Sequence, residues 1–172
     1  MALVISGDSP SLSSYQGGVI TSGTAVASTS GTTIDFTSIP SWVKRITVMW
    51  NGVSTSGSSS PLVQLGTSGG VVTSGYGGSS SLIAATVTTQ NFTTGFGERS
   101  QDPAAVRTGA WSITNVSGNI WVCSGVLGRS DGANTSVTGG TVTLSGTLDR
   151  VRITTVAGTD TFDAGSINIL YE

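Results

Sequence analysis

From residue 32 onward, apolar side chains recur at every second position in short runs, the period of half-buried β-strands. In Thr32-Thr33-Ile34-Asp35-Phe36, Ile34 and Phe36 share a face. Ile39-Pro40-Ser41 then marks a corner, because proline fixes its own backbone. The clearest run is Trp42 to Trp50. Trp42, Lys44, Ile46, Val48 and Trp50 lie on one side, Val43, Arg45, Thr47 and Met49 on the other. The first set is the more apolar and is expected in the core, with Lys44 snorkelling to solvent.

Asn51-Gly52 is expected to start a tight turn, and 54–60 to form a polar loop. Leu62 to Gly66 reads as a strand, Val71-Val72-Thr73 as a shorter one, and 81–92 as an alanine- and serine-diluted pair. Residues 93–110 carry Glu98, Arg99, Asp102 and Arg107, which predicts a solvent-facing loop with a helical turn at Pro103. The rest is regular. Trp111–Val116 and Asn119–Leu127 flank Ser117-Gly118, followed by a polar loop to Ser136, strands at 141–144 and 148–156, and a last one ending at Tyr171.

No convincing helical period of ten residues occurs. Short strands with turn signals every 8–12 residues predict an all-β fold, an antiparallel β-sandwich of jelly-roll-like type. It is assigned to residues 32–172, with Ile46, Val48, Trp50, Trp111, Ile113, Val122, Val151, Ile153, Ile167 and Ile169 in its core. Residues 1–31 have apolar side chains only in ones and twos, which suits an extended arm or short edge strand. Leu3, Val4 and Ile5 are the candidate attachment point within it.

Composition separates this chain from a disordered one. Serine (28), threonine (26) and glycine (25) make up nearly half of the 172 residues. Yet 37% of residues are hydrophobic, and the net charge is only -2. Disordered chains combine low hydrophobicity with high charge. Seven basic side chains, clustered no more closely than Lys44-Arg45 and Arg150-x-Arg152, give no footprint for nucleic acid. No segment is long and apolar enough for a membrane-spanning helix, and the N-terminus lacks the pattern of a secretory signal.

The catalytic inventory is thin. Histidine is absent and Cys123 is the sole cysteine, so no His-activated nucleophile and no Cys-based metal framework can be built. Cys123 is expected to be a small core residue. No cofactor is expected, and no enzymatic activity. Asp160 and Asp163 offer a weak Ca²⁺ possibility, although aspartate in a Gly/Thr loop usually shapes a turn. Glu98 and Asp102 carry no particular signal for a glycosidase pair. Asn91, Asn115 and Asn134 match the glycosylation pattern, as expected by chance in so Ser/Thr-rich a chain. The four tryptophans sit in strand runs and read as core. Tyr76 and Phe96, each between two glycines, are the candidate exposed rings for surface binding, with Arg99, Asp131 and Asn134 in neighbouring loops.

Two blocks resemble a known family. Ile34 through Ser54 (IDFTSIPSWVKRITVMWNGVS) and Leu148 through Glu172 (LDRVRITTVAGTDTFDAGSINILYE) resemble the C-terminal domain of many tailed-bacteriophage fibre and tail-associated proteins. The resemblance spans roughly 32–172 and is looser between the blocks. It implies a β-sandwich on the virion surface, commonly a homotrimer; the lack of a secretory pattern adds the expectation of synthesis in the host cytoplasm. The function it implies is a short tail fibre or receptor-binding domain contacting a host surface glycan or protein. The alternative is a decoration protein that stabilises capsid or tail. The arm would dock on other virion structural proteins by adding a strand to a sheet edge.

Overall fold

The structure is a computed structural model and describes residues 20–103 and 105–172. The chain folds as a β-sandwich of two antiparallel sheets, with no helix among the described residues. Its strands are β1 (Thr21–Ser22), β2 (Val26–Ala27), β3 (Ile34–Phe36), β4 (Arg45–Thr55), β5 (Pro61–Thr67), β6 (Gly70–Val71) and β7 (Gly77–Ile83). Then come β8 (Thr88–Phe92), β9 (Phe96–Gly97), β10 (Arg107–Ser117), β11 (Ile120–Arg129), β12 (Thr135–Thr143), β13 (Arg150–Thr155) and β14 (Phe162–Tyr171).

The larger sheet runs β1-β14-β4-β10-β11-β12-β7-β8, with β2 also on β14. The smaller runs β3-β13-β5-β6, with β9 also on β5. Part of the predicted arm, residues 21–27, therefore contributes edge strands to the larger sheet. Leu3, Val4 and Ile5 lie outside the described residues.

Period-2 alternation places the core between the sheets. From the larger sheet come Ile46, Val48, Trp50, Trp111, Ile113, Trp121, Ile167 and Ile169; from the smaller come Ile34, Val63, Leu65, Val151 and Ile153. Trp50 and Trp111 meet at its centre, ring centroids 5.6 Å apart and planes tilted by 53°. Such a pair adds about 0.5–1.5 kcal/mol beyond its area burial. Trp111 needs the glycine beside it on β11: a Cβ on Gly125 would stand 2.3 Å from its ring. Cys123 is buried in the same layer, as expected, and burial pushes its thiol up to about 12.

Four expectations are corrected. Val122 faces solvent, because Trp121, Cys123 and Leu127 take the inward positions of β11 and leave Val122 and Val126 outward. Asn51-Gly52 does not turn the chain. Strand β4 runs on to Thr55 and accommodates the pair as an irregularity against β14, where Gly165 has φ +89° and a Cβ would stand 2.3 Å from the Gly52 carbonyl. A turn closed by Val43 N–H to Pro40 O rotates the chain before β4 begins, burying Val43 and leaving Trp42 half-buried and Lys44 exposed. Finally, the loop predicted at 93–110 contains β9 and the start of β10, and two of its charges are interior.

Candidate functional site

The two blocks quoted above lie side by side. Strand β13 pairs β3, with Val151 opposite Phe36, and β14 pairs β4, with Ile169 opposite Val48. They form one half of both sheets. The other half, from β5 to β12, carries most of the predicted site residues.

Tyr76 and Phe96 are not exposed rings. Both are buried (4% and 1%) and pack edge to face at 5.1 Å. The Leu65 N–H donates to the Tyr76 hydroxyl at 2.7 Å, and desolvation raises that phenol to about 12. Flanking glycines suggested a flexible tip. Instead β9 tucks Phe96 beneath the far half of the larger sheet, where Gly140 lies 3.1 Å from its ring by the position of an added Cβ.

Arg99, Asp131 and Asn134 do fall in one corner, where segments 98–107 and 129–136 meet. Six of the sixteen charged residues gather there: Glu98, Arg99, Asp102, Arg107, Arg129 and Asp131. Inside, Arg107 donates Nε to Glu98, Nη1 to Ala105 O at 3.0 Å and Nη2 to Ser100 Oγ at 3.4 Å. The Ser136 hydroxyl donates to the other oxygen of Glu98 at 3.1 Å. Both charged side chains are about 1–2% exposed. They sit on the inner side of β12 and β7, where β9 and segment 98–107 form the cover in place of the smaller sheet.

At the surface, Arg129 bridges Asp102 and Asp131. Asp131 also accepts from Val106 N–H at 3.0 Å, and hydrogen bonding from Arg129 is the main cause holding its carboxyl well below the usual range. The guanidinium of half-buried Arg99 has no partner among the described residues; its backbone N–H donates to Ser80 Oγ at 3.0 Å. Asn134 anchors the loop through its backbone carbonyl, which accepts from Arg129 N–H at 3.0 Å.

The remaining acidic candidates are dispersed. Asp160 accepts from Ser59 N–H at 2.8 Å and Asp163 from the Ser54 hydroxyl, linking segments 101 and 109 positions apart. Among the described residues no three His, Cys, Asp or Glu side chains come together as metal ligands. The Arg150-x-Arg152 pair is matched charge for charge, Arg150 by Asp149 at 2.9 Å and Arg152 by Asp35 at 2.7 Å.

Sequence reasoning passed over the outer face of the smaller sheet. A groove of about 330 Å³ crosses β13 and β5 there, lined by Gln64, Thr73, Thr94, Arg152, Thr154 and Thr155 among others. A second, of about 280 Å³, lies past the β3 edge and includes Asp35, Thr37, Ser38 and Tyr171. The alternation of Arg150 and Arg152 against Val151 and Ile153 was a visible signal for outward polar groups. Their cross-strand partners were not.

The outer face of the larger sheet is the opposite in character. Across six strands, Asn168, Met49, Ala110, Val126, Val137 and Ser81 succeed one another in register. This row carries no charge, and Val122, Val126 and Val137 stand 38–48% exposed.

Comparison with known proteins finds no matching family model, no matching curated protein and no matching solved structure.

Proposed function

We propose that this chain is a virion-surface protein of a tailed bacteriophage, a short tail fibre or receptor-binding domain that contacts the host cell. The observation that supports this reading is where the two resembling blocks sit. Separated by about 90 residues in sequence, they supply adjacent strands in both sheets, so the resemblance follows one contiguous scaffold half. A rigid two-sheet frame is what a receptor-binding module requires, since it positions the groups that bind. On this reading the sandwich is jelly-roll-like and trimeric, and the segment containing Leu3, Val4 and Ile5 joins it to other virion proteins.

A second reading, a capsid or tail decoration protein, is favoured by the charge-free row of residues that crosses the outer face of the larger sheet. Exposed valines on a broad sheet suit a standing contact with a neighbouring subunit. Deleting the gene separates the two. The receptor-binding reading expects particles that keep their heat resistance but lose adsorption, and purified protein that blocks infection. The decoration reading expects normal adsorption by heat-fragile particles. Light scattering that finds only monomer at micromolar concentrations would remove the trimer.

A further inference from the structure

We infer that the outer face of the smaller sheet, together with the edge beside β3, is a binding site for a neutral oligosaccharide, seated along the two grooves that flank the Arg152–Asp35 pair. This rests on the receptor-binding reading and names its ligand class and surface.

The pair is the centre of the site. Arg152 donates Nε to Asp35 Oδ1 at 2.7 Å and Nη2 to Oδ2 at 2.8 Å, the parallel fork that fixes both groups. Each remains about one-third exposed. The Arg152 Nη1 has no partner among the described residues, and each Asp35 oxygen retains acceptor capacity. Fixed donors and acceptors side by side match the vicinal hydroxyls of a sugar, which both give and take hydrogen bonds. Arg152 lines the groove of about 330 Å³, and Asp35 the one of about 280 Å³.

The groove walls add unspent polar capacity. Gln64, only 6% exposed, donates Nε2 to Thr94 O at 2.7 Å and leaves Oε1 without a partner among the described residues. Thr154, in phase with Arg152 on the outward side of β13, and Thr73 and Thr94 beside it complete a polar lining that suits a polar occupant. Threonine methyls and Val156 provide apolar contact for sugar C–H faces. At the other end Tyr171, tilted against Trp42 at 6.0 Å, offers a ring.

Charge decides the class of sugar. Because Asp35 neutralises Arg152, the pair presents no net charge, and a sulfated or uronic chain gains no Coulomb attraction at it.

The test uses the full chain on host bacteria, before and after periodate, which cleaves vicinal diols. A charge-swapped variant, Asp35→Arg with Arg152→Asp, keeps an ion pair between β3 and β13 while exchanging donor and acceptor positions. Binding should vanish after periodate, survive protease treatment of the cells, and fall at least tenfold in the swapped protein at unchanged melting temperature. It should change less than twofold between 50 and 500 mM NaCl. Should the swapped chain fail to fold, Thr73→Arg fills the first groove without touching the pair and should give the same loss. Binding that resists periodate, depends steeply on salt, or is untouched by these variants overturns the oligosaccharide site while leaving adhesion standing. A wild-type chain that binds no host cell overturns the adhesion reading, and this inference with it.

Discussion

Arg107 and Arg152 each hold a carboxylate, Glu98 and Asp35, across neighbouring segments of the same sandwich. Arg107 and Glu98 lie inside the far half of the larger sheet, walled by Ser100, Ser136 and the Ala105 carbonyl. Arg152 and Asp35 lie on the outer face of the smaller sheet, about one-third exposed and flanked by grooves. The chemistry is the same and the consequences are opposite. An interior pair must be fully satisfied, because an unmatched buried charge is expensive, so it locks segment 98–107 under the sheet. A surface pair is screened and contributes little to stability, which frees it to meet a ligand.

Breaking the interior pair should produce the largest effect. Arg107→Leu leaves Glu98 buried without its cation, and a loss of about 3–5 kcal/mol is expected from urea unfolding. Adding Glu98→Gln to that variant should restore part of the loss; if the double variant is no better than the single one, the cost is packing and not charge.

High pH should come next. Tyr76 is raised from an ordinary value near 10 to about 12, and Cys123 likewise to about 12, both by burial. The folded chain holds these protons more tightly than the unfolded one. Their contribution is therefore complete below about pH 9 and is lost as pH climbs toward 12. Two units at Tyr76 correspond to up to about 3 kcal/mol. Tyr76→Phe strands the Leu65 N–H, costing about 1–3 kcal/mol at pH 7, but its stability curve should be flatter above pH 10. Parallel curves for the two proteins would refute the assignment.

The exposed pair should register least. Arg152→Ala should cost no more than about 1 kcal/mol, less at high salt, by the same unfolding measurement. A loss approaching that of Arg107→Leu would erase the distinction between the two pairs. Smallest of all is Asp131→Asn. Arg129 depresses the Asp131 carboxyl, so its contribution is present at neutral pH and fades as pH drops below the ordinary aspartate range. Thermal melts of variant and wild type should differ slightly at pH 7 and converge toward pH 2.

The strand architecture was legible in the sequence because β-strands write a local, period-2 signature. Ile46–Val48–Trp50, Trp111–Ile113, Val151–Ile153 and Ile167–Ile169 announced their own inward faces, and each is buried. Where local signals were ambiguous, tertiary packing decided. Val122 and Trp121 both read as core, which alternation forbids for neighbours, and the bulkier ring took the interior. Glycine neighbours made Tyr76 and Phe96 read as exposed tips, yet glycine also permits the close approach that buries a ring. Glu98 and Arg107 read as a hydrated loop because isolated charges carry no mark of a partner nine residues away. Asp35 and Arg152 are 117 positions apart, so their pairing exists only through the register of β3 on β13. Periodicity along one strand determines what faces inward. Which outward groups meet is set between strands, by long-range register that no local stretch of the chain encodes.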